Sequence, residues 1–143
     1  MSCEPSANGV SPDITTDSLE SDCPFCGLPM DRVVAQNEAA VAIADAFPVS
    51  PGHTLIIPRR HVRDFFDTTS GEVEAIFGLL HEMRARLVAD RRPDGFNVGI
   101  NCGVTAGQTV MHAHVHLIPR YAGDRSDPTG GVRNVIADLG HYG

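Results

Sequence analysis

Lysine and tryptophan are absent from this 143-residue chain, and aromatic residues make up only 6% of it. The 11 basic residues are therefore all arginines, and against 18 acidic residues they leave a net charge of −7 at pH 7. Non-specific binding to nucleic acid depends on clustered basic side chains, so this balance argues against a nucleic-acid partner. An anionic substrate is still compatible with the composition if a local pocket supplies the donors.

The chain also lacks a long apolar run, a charged and apolar leader, and a set of regularly spaced cysteines. We therefore expect neither a membrane-spanning helix nor a signal peptide. Of the four cysteines, two form a close pair and two are scattered, which does not fit a disulfide framework and favours a reducing cytoplasm. Hydrophobic residues at 42% and charged residues at 20% are typical of one soluble globular domain.

The local patterns predict an α+β domain. Segments 31–37 and 39–45 carry β-branched residues on either side of Asn37 and Glu38, which predicts a hairpin; further strands are predicted at 53–58, 96–101 and 111–121. Thr69 to Glu72 resembles a capping box, and apolar residues then recur at three- and four-residue steps to about Arg92. We expect an antiparallel sheet of about five strands with one long helix packed on it.

The two ends of the chain differ in composition from its middle. Residues 1–21 are rich in serine, acidic residues and proline and predict a disordered tail, so the domain is expected to span residues 22–143. Within it, residues 122–143 are polar and glycine-rich and form a C-terminal tail.

The stretch from Met111 to Tyr121 holds three histidines that alternate with apolar residues: His112, His114 and His116, with Ala113, Val115 and Leu117. Successive side chains of a strand point to opposite faces, so the three imidazoles are expected on one face. Pro119 is expected to end this strand. Three histidines in register indicate catalysis by at least one of them, with a purely structural row and a pure metal site as the alternatives.

Two further segments carry chemistry. Cys23-Pro24-Phe25-Cys26 has the C-x2-C spacing of half a tetrahedral zinc site, which a redox pair shares. The loop from Cys102 to Thr109 contains two glycines and small polar residues, and such a loop lets backbone N–H groups approach an anion. A plain hairpin connection is the alternative, although the loop is long for one.

These blocks together resemble the histidine triad (HIT) superfamily of nucleotidyl hydrolases and transferases, in its zinc-containing bacterial branch. His112 to Ile118 matches the triad signature, Gly52 to His61 resembles the second block, and Ala106 to Thr109 resembles the phosphate loop. The similarity extends from about Cys23 to Tyr121. It implies a HIT-like fold, a homodimer in which two sheets adjoin, and a C-terminal tail that shapes the substrate pocket.

The resemblance implies two groups of site residues. A structural zinc would be bound by Cys23, Cys26, His61 and His112, which removes His112 from acid–base work. His114, which both other triad histidines flank, would be the nucleophile that becomes nucleotidylated, with His116 and His53 contacting phosphate or assisting the leaving group. The implied phosphate-loop positions are Asn101, Gly107, Gln108 and Thr109, and Asp45 would bind the ribose hydroxyls.

The predicted activity is hydrolysis or transfer at the α-phosphate of an AMP-containing purine nucleotide, either a nucleoside phosphoramidate or a dinucleoside polyphosphate. Ala46 follows Asp45 where the family often has a larger apolar residue, which bears on affinity for the base. Two alternatives stay open at this point. One is a non-catalytic nucleotide-binding signalling module, and the other is a metal enzyme on an unrelated β scaffold with a metal bound by all three triad histidines.

Overall fold

The computed structural model describes residues 22–142; the predicted tail at residues 1–21 lies outside the described residues. The regular elements of this part are β1 (Val33–Gln36), β2 (Ala40–Ala44), β3 (Thr54–Pro58), α1 (Ser70–Arg91), β4 (Gly95–Gly99) and β5 (Val115–Arg120). Short 3-10 turns lie at Met30–Arg32, Phe65–Asp67, Val104–Ala106 and Gly131–Val135. Strand and helix positions follow the sequence pattern to within a few residues at each end.

The strands form one antiparallel sheet in the order β1-β2-β3-β5-β4. The predicted hairpin joins β1 to β2, and the side chain of Asn37 fixes its turn. The Asn37 Oδ1 atom accepts from the backbone N–H groups of Ala39 and Ala40 at 3.1 and 2.9 Å. Its Nδ2 donates to the carbonyl oxygen of Ala75 at 2.8 Å, which attaches the turn to the helix.

Helix α1 begins at the predicted capping box. The Thr69 hydroxyl accepts from the N–H of Glu72 at 3.1 Å, and the Glu72 carboxylate accepts from the N–H of Thr69 at 2.9 Å. Arg92 ends the helix in the left-handed conformation, with φ 49°. The apolar face of α1 packs on the sheet and forms the larger core with Ala42, Ile56, Val115 and Leu117 among others. The helix therefore packs on the apolar face of β3 and β5, and His116 points to the opposite face of β5.

Strand β5 runs through Pro119 to Arg120, so the expectation that this proline ends the strand is wrong. The ladder between β3 and β5 stops at Leu117, and beyond it β5 pairs with β4 alone. Proline has no N–H to donate to a neighbouring strand, but no hydrogen bond is lost here, because β3 does not extend far enough to offer an acceptor to Pro119. The carbonyl oxygen of Pro119 instead accepts from the Ser50 hydroxyl at 2.7 Å.

The C-terminal segment, residues 122–142, leaves β5 and folds beside β4, where Gly131 approaches the Asn97 side chain. Together with Asp94 and Arg120 this segment lines a shallow cavity of about 300 Å³. Its residues do not line the histidine cavity described below, and its predicted role in the substrate pocket stays a prediction. Within residues 22–142, no helix is both long enough and apolar enough to cross a bilayer.

Candidate active site

The triad segment places its apolar residues and its histidines as the alternation predicts. Ala113, Val115 and Leu117 are at most 3% exposed and lie in the interior. The regular strand begins only at Val115, so His112 and His114 precede it. Their position is fixed by the backbone N–H of Ala113, which donates to the carbonyl oxygen of Val62 at 2.7 Å. His112 and His116 nevertheless belong to two different clusters, and His114 lies between them.

The first cluster contains the four predicted zinc ligands. The Nδ1 atom of His112 lies 3.4 and 3.5 Å from the sulfurs of Cys23 and Cys26, and His61 Nδ1 lies 3.1 Å from Cys26 Sγ. All four ligand atoms lie within 4.8 Å of one another. A tetrahedral zinc with ordinary Zn–S and Zn–N bonds separates its sulfur and nitrogen ligands by about 3.5 Å. The donor set and its spacing therefore fit zinc.

The tautomer of His112 supports the same assignment. Its Nε2 atom lies 2.8 Å from the carbonyl oxygen of Pro58, which can only accept, so Nε2 carries the hydrogen. Nδ1 then keeps its lone pair, and this is the atom that faces the two sulfurs. A backbone carbonyl on the far nitrogen is the usual partner of a metal-bound histidine. His112 is completely buried, and burial lowers its pKa, so the ring is neutral as a ligand must be.

The middle histidine has the opposite polarity. His114 Nδ1 lies 2.8 Å from the carbonyl oxygen of His112, so Nδ1 carries the hydrogen and Nε2 keeps the lone pair. The His114 ring is 8% exposed and lines a cavity of about 370 Å³. The hydrogen bond to the backbone of His112 thus leaves His114 Nε2 without a hydrogen, as a nucleophilic histidine requires.

The second cluster joins the remaining triad histidine to the predicted ribose-binding residue. The Nε2 atom of His53 lies 2.9 Å from His116 Nδ1 and 3.3 Å from Asp45 Oδ2. The other ring nitrogen of His53 accepts from the backbone N–H of Val49 at 3.2 Å, so the hydrogen of His53 sits on Nε2. His116 Nδ1 accepts this hydrogen, which leaves the hydrogen of His116 on its own Nε2.

Three potential metal ligands meet here as well, because Asp45, His53 and His116 bring their donor atoms within 4.8 Å of one another. A metal on His53 Nε2 would need the lone pair that this nitrogen uses to hold its hydrogen. Moving the hydrogen to Nδ1 would direct it at the N–H of Val49. The second cluster is therefore a hydrogen-bonding network, in contrast to the cysteine-containing cluster.

Burial keeps the two imidazole rings of this network neutral. Desolvation is the main cause that lowers the pKa of His116 to about 4, and the neighbouring His114 and His53 lower it further, while Asp45 opposes them. Desolvation also lowers the pKa of His53 against the attraction of Asp45. Both rings are therefore neutral at pH 7, and each has one hydrogen, on one of its two nitrogens.

Gly52 fixes the approach of the chain to His53, since its φ of 92° and its closeness to Leu87 and Arg91 exclude a side chain.

The predicted phosphate loop contributes unequally to the cavity. Asn101, Gly107 and Thr109 line it, but the side chain of Gln108 is buried and turned to the backbone. The Gln108 Oε1 atom accepts from the N–H of Gly103 at 2.8 Å, and Nε2 donates to the carbonyl oxygens of Arg63 and Val110 at 2.8 and 3.0 Å. In this conformation Gln108 shapes the loop, and Gly107, with φ 95°, makes its turn.

Sequence reasoning overlooked Phe25 as a site residue. Phe25 lies between the two cysteines in the sequence. Its ring lines the histidine cavity and packs edge-on against His112 and His114 at centroid distances of 5.9 and 5.3 Å. Its position inside the C-x2-C pair was the available signal. Arg32, which also lines the cavity and donates to the carbonyl oxygen of Ala44 at 3.2 Å, gave no comparable signal.

The fold and the site together define a small α+β protein with a Cys2His2 cluster beside a histidine-lined cavity. The HIT domain profile matches residues 29–123, and the chain belongs to this family. An uncharacterised HIT-like protein of Mycoplasma genitalium is 39% identical over 105 residues, which cover 71% of this chain and 74% of that protein. The five-stranded antiparallel fold and the resemblance seen in the sequence are confirmed by these relatives.

Two other relatives bear on the chemistry. A protein named AP-4-A phosphorylase, from Mycobacterium tuberculosis, is 36% identical over 93 residues, which cover 64% of this chain and 48% of that protein. The crystal structure of a Zn-bound histidine triad family protein from Mycobacterium smegmatis superposes with a TM-score of 0.68 at 32% identity, covering 76% of this chain and 81% of that one.

Proposed function

We propose that this protein is a nucleotide hydrolase or transferase that cleaves at the α-phosphate of an AMP-containing substrate. The substrate classes that fit are nucleoside phosphoramidates and dinucleoside polyphosphates. The observation that carries the proposal is the hydrogen bond from His114 Nδ1 to the His112 carbonyl, which leaves Nε2 of His114 unprotonated at the cavity. A relative named AP-4-A phosphorylase supports the substrate class.

The first proposed step forms a bond from His114 Nε2 to the α-phosphorus and breaks the bond to the leaving group. The N–H of His116 Nε2 donates a hydrogen bond to the leaving group, which departs with the electron pair of the broken bond. Asn101, the backbone at Gly107 and the Thr109 hydroxyl donate to the phosphate oxygens, Gln108 holds that loop in place, and Asp45 accepts from the ribose hydroxyls. Water then attacks the phosphorus and breaks its bond to His114 Nε2, AMP is released, and the leaving group takes up the proton that the water loses; another acceptor in place of water makes the reaction a transfer.

We propose that Cys23, Cys26, His61 and His112 bind a structural zinc. When bound, the metal closes a four-ligand site that has no position for substrate, so it supplies stability and not a reactive water. The reducing cytoplasm expected from the cysteine usage would keep both thiols available. The position of His112 in this cluster, away from His116, speaks against one metal bound by all three triad histidines.

We also propose that the protein forms a homodimer through adjoining sheets. Strand β4 ends the sheet and pairs with β5 alone among the strands of residues 22–142, so the part of its outer edge that the C-terminal segment leaves uncovered can pair with a second copy. A dimer mass by light scattering at micromolar concentration is the expected result. A monomer under those conditions would count against this assembly.

Label transfer tests the reaction. An adenylate labelled at the α-phosphate should leave acid-labile label on the wild-type protein, and none on His114→Asn. The variant should keep its affinity for AMP by calorimetry but lose at least about 10⁴-fold in turnover, because no other group forms the covalent intermediate. Thr109→Val should reduce turnover by about 100-fold, as expected for one lost donor to the phosphate.

The control is His81→Asn, which removes an exposed histidine of α1 and should change none of these measurements. Equal turnover by wild type and His114→Asn on the same panel of adenylates would overturn the proposed reaction. Binding of AMP without turnover or label in the wild type would identify a non-catalytic nucleotide-binding module instead.

A further inference from the structure

One N–H group in the second cluster lies near two acceptors. The N–H of His53 Nε2 faces His116 Nδ1 at 2.9 Å, and Asp45 Oδ2 lies 3.3 Å from the same nitrogen. The Val49 N–H bond to Nδ1 keeps the hydrogen on this side of the ring. A carboxylate this close attracts the hydrogen and competes with His116 for it. Whatever weakens Asp45 as an acceptor therefore strengthens the bond from His53 to His116.

Asp45 is placed where a substrate can do this. Its Oδ1 atom is held by the backbone N–H of Phe47 at 2.8 Å, so the carboxylate has a fixed orientation. The oxygen that faces His53 is Oδ2, and the Asp45 side chain is 16% exposed and lines the histidine cavity. Two neighbouring hydroxyls on a sugar can both donate to such a carboxylate, and a carboxylate that already accepts from them attracts a further donor less.

The location of the His53 hydrogen decides where His116 holds its own. At neutral pH His116 has one hydrogen, because burial lowers its pKa to about 4. When Nδ1 of His116 accepts from His53, that hydrogen must be on Nε2. When the His53 hydrogen is drawn to Asp45, His116 can also adopt the other tautomer, whose Nε2 has no hydrogen to give. The two tautomers differ in whether Nε2 of the ring can donate a hydrogen bond to a leaving group.

We propose that Asp45 couples recognition of the substrate's ribose to catalysis by controlling the hydrogen bond between His53 and His116. Ribose hydroxyls donate to Asp45, the N–H of His53 then bonds to His116 alone, and the hydrogen of His116 stays on Nε2, where it can donate to the leaving group. The inference rests on the proposed function for its kinetic consequence. His53 is then a positioning residue, and the preference for ribose over deoxyribose is expressed in kcat as well as in KM.

The kinetic test compares a ribose substrate with its 2′,3′-dideoxy analogue. In the wild type, loss of the hydroxyls should reduce kcat by about tenfold, the usual worth of one net hydrogen bond, and should also raise KM. In Asp45→Asn the competing carboxylate is gone, so the two substrates should have the same kcat within about twofold. Asp90→Asn, an exposed carboxylate at the end of α1, should behave like the wild type.

A wild-type effect confined to KM, or an equal kcat ratio in wild type and Asp45→Asn, would overturn the coupling and leave Asp45 as a simple ribose ligand. A tautomer measurement keeps this failure separate from failure of the proposed reaction. In ¹⁵N-histidine spectra of the wild type, AMP should shift His116 towards the Nε2–H form, and 2′,3′-dideoxy-AMP should not. Equal spectra with both bound nucleotides, or no binding of either, would overturn the inference even if turnover is observed.

Discussion

The two clusters that surround the triad use the same residue type for different work, and the difference lies in what the backbone offers each ring. His112 donates from Nε2 to the Pro58 carbonyl, so its lone pair faces two sulfurs. His53 accepts at Nδ1 from the Val49 N–H, so its hydrogen faces His116 and Asp45. In these two rings the carbonyl acceptor leaves a lone pair that faces the sulfurs, as a metal ligand needs, whereas the N–H donor leaves a hydrogen that faces a hydrogen-bonding network.

His114 stands between these clusters and depends on both. Its Nδ1 hydrogen goes to the backbone of His112, and its ring packs against that of His116 at a centroid distance of 5.0 Å. A change in the cysteine-containing cluster should therefore act on stability first. A change in the Asp45–His53–His116 network should act on turnover and on its pH dependence.

The largest expected effect comes from breaking the first cluster. Cys26→Ala removes one of the four proposed zinc ligands, and a loss of several kcal/mol of binding energy should lower Tm by about 10 °C. Turnover per folded molecule should fall by less than about tenfold, since no step uses the metal; this smaller loss would come through Phe25, whose ring contacts His114. Calorimetric melting, zinc content and turnover corrected for folded fraction measure the three quantities.

Cys102→Ala is the matched control, because Cys102 lies outside the four-residue group and should leave the zinc content unchanged. Loss of activity in a fully folded Cys26→Ala protein would contradict the structural assignment. So would added zinc that restored turnover without changing the melting temperature.

The next prediction compares two neighbouring residues of the predicted phosphate loop, one that stabilises the fold and one that lines the cavity. Gln108→Met keeps the volume but removes the hydrogen bonds to Gly103, Arg63 and Val110. Loss of these three hydrogen bonds, each of which is partly buried, should reduce the free energy of unfolding by about 2–3 kcal/mol. Thr109→Val, one residue further on and exposed, should leave it unchanged within about 0.5 kcal/mol. Urea denaturation of both variants makes the comparison, and equal stabilities would refute the structural role of Gln108.

The fold was predictable from local signals because each element has one near its own residues. Asn37 marks the hairpin, Thr69 and Glu72 begin the helix, and the period of two identifies the buried face of β5. The passage of β5 through Pro119 was not predictable in this way. It depends on where the β3 ladder stops, which is set by the pairing of Thr54 with Leu117 and not by the residues around the proline.

The candidate site was predictable as a set of residue types, and the resemblance to the family supplied most of the assignments. The alternation placed three histidines together, but nothing in it divides them between two clusters. That division depends on contacts between distant segments, such as the carbonyl of Pro58 for His112 and the side chain of His53 for His116. The role of Gln108 likewise depends on distant contacts, because its hydrogen-bond partners are up to 45 residues away along the chain.

The smallest expected effect concerns the second cluster and the pH dependence of stability. Burial lowers the pKa of His116 in the folded protein from its ordinary value of 6.5 to about 4. Between these two pH values the unfolded chain binds a proton that the folded protein does not bind. Acidification through this window therefore favours the unfolded state. Above about pH 6.5 neither state binds this proton, so His116 no longer affects the pH dependence of the free energy of unfolding. After allowance for solvent screening, we expect a loss on the order of 1–2 kcal/mol by pH 4.

The measurement is urea denaturation of wild type and His116→Asn between pH 7.5 and pH 4.5. Other groups, including the cysteine-containing cluster, also lose stability in acid, so only the difference between the two proteins isolates His116. His116→Asn should show the shallower decline, whereas His81→Asn, which removes an exposed histidine, should follow the wild type. Parallel declines for all three proteins would mean that His116 binds its proton in the folded protein as readily as in the unfolded chain, and the buried neutral network would then be wrong.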